Sequence, residues 1–254
     1  MSTYFSDLQK KTVIVTGGSK GIGKDIALSF SRLGANVIII GRNEKDLNQT
    51  LSELNVFQGN HKAVQADVND ITHVKKIVDN IVRDYGAVDV LVNNAGINIP
   101  KEALEVTEQD WDKVIDTNLK ALFFFSQAVA KYMVEQKSGR IINIASQMSF
   151  VGYIKRAAYC SSKGGVVQLT KALAVEWAPY HINVNAVAPT FIETELTSKM
   201  FEDEDFKKDV KSRILFDELP KPHDISGAVL YLASNLSNFV TGETIKVDGG
   251  WTAI

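Results

Sequence analysis

Short runs rich in β-branched residues alternate with longer stretches of helical periodicity along the whole chain, and this alternation restricts the fold more than any other feature. Thr12–Thr16 (TVIVT), Asn36–Ile40 (NVIII), His61–Ala66, Val88–Val92, Arg140–Ala145, Ile182–Val187 and Thr244–Val247 read as strands. Helical patterns fill residues 23–33, 44–54, 71–83, 108–134, 157–178 and 224–233. Ile71, Val74, Ile77, Val78 and Ile81 share one face of the third, and Pro179 closes the fifth. Strands this short and apolar, each followed by a helix, must be covered on both sides, which predicts an α/β fold with a doubly wound parallel sheet. No repeat, low-complexity tract or linker interrupts the pattern, so residues 1–254 are expected to form one domain. The least regular part runs from Pro189 to Pro222, and its acidic run Glu202–Asp205 reads as a solvated helix face or loop.

At the first strand–helix junction stands Thr16-Gly17-Gly18-Ser19-Lys20-Gly21-Ile22-Gly23. A strand, a glycine-rich turn and a helix start direct unpaired backbone N–H groups and the positive end of a helix at an anion such as a pyrophosphate. Glycine is required where a Cβ would block the turn or the approach of phosphate. A plain connection would need only one glycine; three at this spacing point to nucleotide binding.

Bulk properties exclude several other functions. With 30 acidic and 28 basic side chains the net charge is −2, so no electrostatic pull toward nucleic acid or an anionic membrane is expected. No apolar run approaches the roughly 20 residues of a membrane span. The stretch from Met1 to Lys11 lacks an apolar core, so no secretory signal is expected. Cys160 is the only cysteine and cannot form an internal disulfide; beside Tyr159 it reads as a small helix residue. The four histidines show no ligand spacing, so no metal site is expected. These features together predict a cytoplasmic protein.

The glycine turn, Asn93-Asn94-Ala95-Gly96, Asn118, Ser146, Tyr159-Cys160-Ser161-Ser162-Lys163 and the terminal Val247-Asp248-Gly249-Gly250 occur in the order seen in short-chain dehydrogenases/reductases. The chain resembles that family over nearly its whole length. The resemblance implies a Rossmann-like fold, a nicotinamide dinucleotide, a small carbonyl or alcohol substrate, and a homotetramer.

Tyr159 and Lys163 lie four residues apart, hence on one face of the expected helix about 6 Å apart along its axis. A phenol titrates near pH ~10, too high for a base at neutral pH, and a neighbouring ammonium is expected to lower it. Tyr159 is the expected proton donor and acceptor. By resemblance, Lys163 also holds the nicotinamide ribose, Ser146 positions the substrate oxygen, and Asn118 holds a water that feeds a proton relay. The cofactor residues implied are Gly17, Ser19, Lys20, Gly21, Ile22 and Gly23 in the turn, Asp67 and Val68 at the adenine, Asn94, Ala95 and Gly96 at the ribose, and Pro189, Ile192 and Thr194 at the nicotinamide amide and phosphates, with Tyr159 and Lys163. Thr190 stands where the family usually has glycine, which predicts a less permissive backbone there. Residues 190–222 correspond to a substrate lid.

NAD enzymes of this build commonly end the second strand with an acid that binds the adenosine ribose. Here the place reads Ile40-Gly41-Arg42-Asn43. The Arg42 guanidinium suits a 2′-phosphate, Lys20 adds a second cation, and NADP(H) is the expected cofactor. The stretches around Ser146 and Trp251 resemble sugar-acid and polyol members such as gluconate 5-dehydrogenase-like proteins. Gln147 is a candidate substrate contact, and Lys155 and Arg156 could meet hydroxyls or a carboxylate. A 3-oxoacyl-thioester reductase fits the same motifs. A non-catalytic NADP(H)-binding sensor is the alternative of another class, against which the complete set Asn118, Ser146, Tyr159 and Lys163 argues.

Overall fold

The computed structural model describes residues 4–192, 197 and 199–254. Its strands are β1 (Thr12–Thr16), β2 (Asn36–Gly41), β3 (Lys62–Gln65), β4 (Val90–Asn93), β5 (Gly139–Ile144), β6 (Ile182–Pro189) and β7 (Thr244–Val247). They form one sheet in the order β3-β2-β1-β4-β5-β6-β7, and every pairing is parallel. The helices are α1 (Gly21–Arg32), α2 (Glu44–Leu54), α3 (Ile71–Tyr85), α4 (Glu108–Ile115), α5 (Ala121–Gln136), α6 (Ala157–Trp177), α7 (Glu204–Ser212) and α8 (Pro222–Ala233).

The period of a strand explains the layers. Successive side chains point to opposite faces. Ile14, Ile38, Ile40, Leu91 and Ile141 therefore pack under α3, α5 and α6, while Val13, Val15, Val37, Ile39, Val90, Val92 and Ile142 pack under α1, α2 and α8. The winding direction reverses between β1 and β4, and ligands of open α/β sheets bind beyond the strand carboxyl ends at such a switch. The glycine turn and the Asn94–Gly96 loop meet there.

Two elements depart from expectation. The helix expected over residues 108–134 is interrupted by a π-helical segment, Asp116–Lys120. The wider turn accommodates Asn118, whose buried side chain turns inward to bond other elements instead of following the helix surface. The irregular region contains α7, started by Asp203, whose carboxylate accepts from the amides of Asp205 and Phe206. The acidic run is thus a helix start, where caps and negative charge are favoured.

His61 ties together the elements that carry the glycine turn. Its Nδ1 accepts from Val37 N–H at 3.2 Å, and its Nε2 lies 3.2 Å from Ser31 Oγ of α1. Burial lowers the ring's pKa from its ordinary value of 6.5, against a smaller opposing pull from the Phe57 backbone. The folded chain then binds fewer protons at this ring than the unfolded chain, so stability falls as pH drops through the unfolded value near 6.5. Melting curves between pH 7.5 and about 5.5 should show a steeper loss in the wild type than in His61→Asn; parallel slopes would assign the acid sensitivity elsewhere.

Candidate active site

The turn at the end of β1 is built around backbone contacts that leave no room for side chains. Gly17 and Gly21 have φ of 63° and 54°, in the left-handed region that glycine tolerates. A Cβ on Gly23 would strike the Gly17 carbonyl oxygen and Asn94 Nδ2. Asn94 closes the structure from the β4 side. Its Nδ2 donates to the carbonyls of Thr16 (3.1 Å) and Gly17 (3.0 Å). Thr16 Oγ1 in turn accepts from the amides of Asn94 and Ala95 at 3.0 and 3.1 Å. No side chain caps the start of α1, and its first turn holds no acid. Amides and helix dipole therefore converge on a cradle suited to phosphate.

Around this cradle the other candidates take distinct positions. Arg42 is exposed past the end of β2. Lys20 forms an ion pair with Asp46 of α2 at 3.1 Å, so part of the charge expected there is already engaged. Asp67 is exposed with one oxygen accepting from Asn69 N–H at 2.9 Å, and Val68 beside it is buried. Thr190 follows β6 in an ordinary backbone conformation: it is not among the residues of positive φ, its amide donates to Val247 O at 3.2 Å, and its buried hydroxyl has no partner among the described residues. Pro189 and Ile192 flank it; Thr194 lies outside the described residues.

The proton-transfer candidates converge at the carboxyl end of β5. Tyr159 sits in the first turn of α6, and Lys163 Nζ lies 5.9 Å from the centre of its ring. Lys163, 4% exposed, donates from Nζ to Ile144 O at 2.6 Å. Burial lowers its pKa to about 8. Ser146 Oγ donates to Gln147 Oε1 at 2.7 Å and accepts from Met148 N–H at 3.2 Å. Its hydroxyl is near enough to the Tyr159 phenol to influence it.

The phenol contradicts the expected direction. Burial raises the Tyr159 pKa, and this outweighs the lowering by the nearby Ser146 hydroxyl and the Arg156 charge. Lys163 is not among the groups that shift it; its ammonium is turned to the Ile144 carbonyl. Desolvation disfavours the phenolate more than the neighbouring dipoles and charge favour it.

Asn118 is buried, and its side chain bridges two elements of the site. Its Oδ1 accepts from Ile97 N–H at 2.8 Å, and its Nδ2 donates to Ile97 O at 2.9 Å and Ser162 Oγ at 3.0 Å. The side chain joins the loop after β4 to α6 and is fully engaged in doing so. Gln147 is buried, and its Nε2 has no partner among the described residues.

Several contributors were not anticipated. Asn93 and Asn143 interrupt otherwise apolar strands and join in a buried chain: Asn93 Nδ2 donates to Ser126 Oγ and Asn143 Oδ1, both at 2.9 Å, and Asn143 Nδ2 to Thr170 Oγ1 at 3.0 Å. Polar groups at buried strand positions were the available signal. Residues after β6 pack against the catalytic side through Phe191, Phe201, Phe206, Val210 and Ile214, which cluster with Tyr153, Tyr159 and Trp251. Tyr153 Oη donates to Asp209 of α7 at 2.6 Å. Among the described residues no cluster of side chains could hold a metal.

Residues 11–205 match the family described as short chain dehydrogenase. The chain is 39% identical to the 2-dehydro-3-deoxy-D-gluconate 5-dehydrogenase of Escherichia coli (strain K12), over 97% of each chain. It is also 39% identical to a 3-oxoacyl-(acyl-carrier-protein) reductase of Thermotoga maritima, over 96% of this chain and 98% of that one. A solved Agrobacterium tumefaciens structure with bound NADP, provisionally named a 2-deoxy-D-gluconate 3-dehydrogenase, superposes with a TM-score of 0.92 at 39% identity over 100% of both chains.

Proposed function

The chain belongs to the short-chain dehydrogenase family, and on that premise we propose that it interconverts a ketone and a secondary alcohol on a sugar acid or related small polyol, with NADP(H). The observation that carries the reading is the convergence of Tyr159, Ser146 and Lys163 beside the glycine cradle at the switch point of the sheet. The relatives named for gluconate derivatives support the substrate class, and the neighbour with bound NADP supports the cofactor.

The residues present fit a dinucleotide. Gly17, Ser19, Lys20, Gly21, Ile22 and Gly23 would hold the pyrophosphate, because a Cβ at Gly23 would fill the cradle. Asp67 and Val68 would flank the adenine, Asn94 to Gly96 the ribose, and Pro189, Ile192 and Thr194 the nicotinamide end. When bound, this group supplies or accepts the hydride. The chain's own residues manage the proton and the geometry. Ser146 holds the substrate oxygen next to the phenol. Because burial keeps Tyr159 protonated at neutral pH, the resting site is armed as an acid, ready to protonate the oxygen during reduction. Lys163, whose pKa of about 8 leaves it mostly charged at pH 7, would hold ribose hydroxyls. Asn118 acts by position, fixing Ile97 and α6 relative to each other.

Residues 190–222 are the proposed lid, in a chain we take as one cytoplasmic domain. Leu104, Val175 and Phe239 are large apolar side chains left exposed, which supports burial between subunits of a homotetramer; a monomeric mass by light scattering would refute this.

Arg42 is the proposed reader of the 2′-phosphate. Arg42→Ala should weaken NADPH binding about tenfold, the loss of one charge-assisted contact, and leave NADH binding unchanged in fluorescence titrations at low salt. Equal effects on both cofactors would remove the assignment. The function itself is tested by NADPH absorbance against keto sugar acids, neutral keto-sugars and an acetoacetyl thioester. Saturable turnover of the sugar acids supports the reading. Turnover of the thioester alone would instead make the chain a 3-oxoacyl reductase, a reading the Thermotoga maritima relative favours.

A further inference from the structure

Beside the catalytic tyrosine the structure holds a second buried cation. Arg156, 5% exposed, is the residue before the first turn of α6, three positions ahead of Tyr159. Its Nη1 donates to the neighbouring Lys155 carbonyl at 3.2 Å. Its Nε is buried without a partner among the described residues. Nη2 donates to no group among the described residues. The ionisable groups that face the guanidinium are Tyr153, Tyr159 and Cys160, and no carboxylate among the described residues pairs with it. The contrast with Lys155 is direct, since that side chain is exposed and pairs with Glu102 at 3.4 Å.

An arginine withdrawn from water without a counter-ion is costly, and such cations are ordinarily paired. Burial already disfavours its charged form. Here Nε and Nη2, two donors of one planar fork, are left over beside the phenol that faces the substrate oxygen. A fork with two parallel donors is the complement of a carboxylate. The surroundings sharpen this choice: Lys163 is also buried near Ser146 and Tyr159, and no carboxylate among the described residues pairs with it, so two cations there favour an anion. Neutral hydroxyls would leave the charge uncompensated.

We propose that Arg156 binds the carboxylate of the substrate, so that the site selects small keto acids over neutral ketones of the same length. The assignment rests on the oxidoreductase reading and adds to it the group that recognises the acid. The cost of the unpaired guanidinium is then offset only when an acid is bound, which makes Arg156 a binding residue held at the expense of stability.

The test compares wild type, Arg156→Gln and Arg156→Lys, each loaded with NADPH. Turnover is measured with 5-ketogluconate and with a neutral keto-hexose, and binding of D-gluconate by calorimetry. For Arg156→Gln the ratio of kcat/KM for the acid to kcat/KM for the neutral sugar should fall at least about tenfold, mainly through KM. Arg156→Lys should recover only part of it, because a point charge lacks the fork. The glutamine variant should melt no lower than wild type, since removal of an unpaired buried charge does not destabilise. An unchanged ratio in a wild type that does reduce keto acids would overturn the role of Arg156 and leave the function standing. A large fall in melting temperature would make Arg156 structural and likewise overturn the proposal. Should the wild type reduce no keto acid, the functional reading fails and calorimetry decides the inference alone. Gluconate binding lost in Arg156→Gln would sustain it, and binding equal in both, or absent from both, would end it.

Discussion

Tyr159→Phe should reduce kcat by about 10²- to 10⁴-fold, the usual contribution of a positioned general acid–base, while NADPH binding stays within a few-fold of wild type. The expectation follows from what the substitution leaves in place. The ring keeps its contacts in the cluster with Tyr153, Phe191 and Trp251. Ser146 keeps its bonds to Gln147 and to the Met148 amide, and Lys163 keeps the Ile144 carbonyl. Only the phenol oxygen is lost, and with it the proton that must reach the substrate oxygen. Single-turnover absorbance measurements, with a parallel binding titration, separate the two effects. Retention of more than a few per cent of activity would mean that another group supplies the proton.

Gly23→Ala should produce the largest loss of cofactor affinity. Its new Cβ would fall on the Gly17 carbonyl and on Asn94 Nδ2, and neither can yield cheaply. Gly17 N–H is bonded to Ile40 O at 2.8 Å, and Asn94 Nδ2 bridges two carbonyls of the turn. Something in the cradle must open. Overpacking of this kind costs about 1–3 kcal/mol, equivalent to a fall in Tm of roughly 2–10 °C at this chain length. The same displacement moves the amides that meet the phosphate, so NADPH should bind at least about tenfold more weakly. Thermal melting together with a fluorescence titration checks both. A lowered Tm with unchanged NADPH affinity would place the phosphates away from this turn.

The layered fold was legible because it rests on local patterns that the sheet then reinforces. Strands such as TVIVT and NVIII alternate their two apolar faces, and helices such as Ile71–Tyr85 present one. The break at Asp116–Lys120 was hidden, since apolar spacing continues through it and the cause is a tertiary one: Asn118 reaches Ile97 and Ser162. The helix α7 was hidden by polarity, as its stability comes from the Asp203 cap and from Phe206 and Val210 packing on distant aromatics. In the site, the order of motifs located Ser146, Tyr159 and Lys163, yet spacing could not reveal burial. Burial is what reverses the Tyr159 shift, and it separates Arg156 from its exposed neighbour Lys155. Residues close in sequence share a helix face; whether water reaches them is decided by elements far away.

The most direct test of the account is transfer of deuterium from NADPH dideuterated at the nicotinamide C4 to 5-ketogluconate, followed by mass spectrometry of the product. The expected result is deuterium at the new carbinol carbon in the wild type, with the labelled product formed about 10²- to 10⁴-fold more slowly by Tyr159→Phe. A product without label, or labelled product formed at equal rates by both proteins, would contradict hydride transfer coupled to a proton from Tyr159.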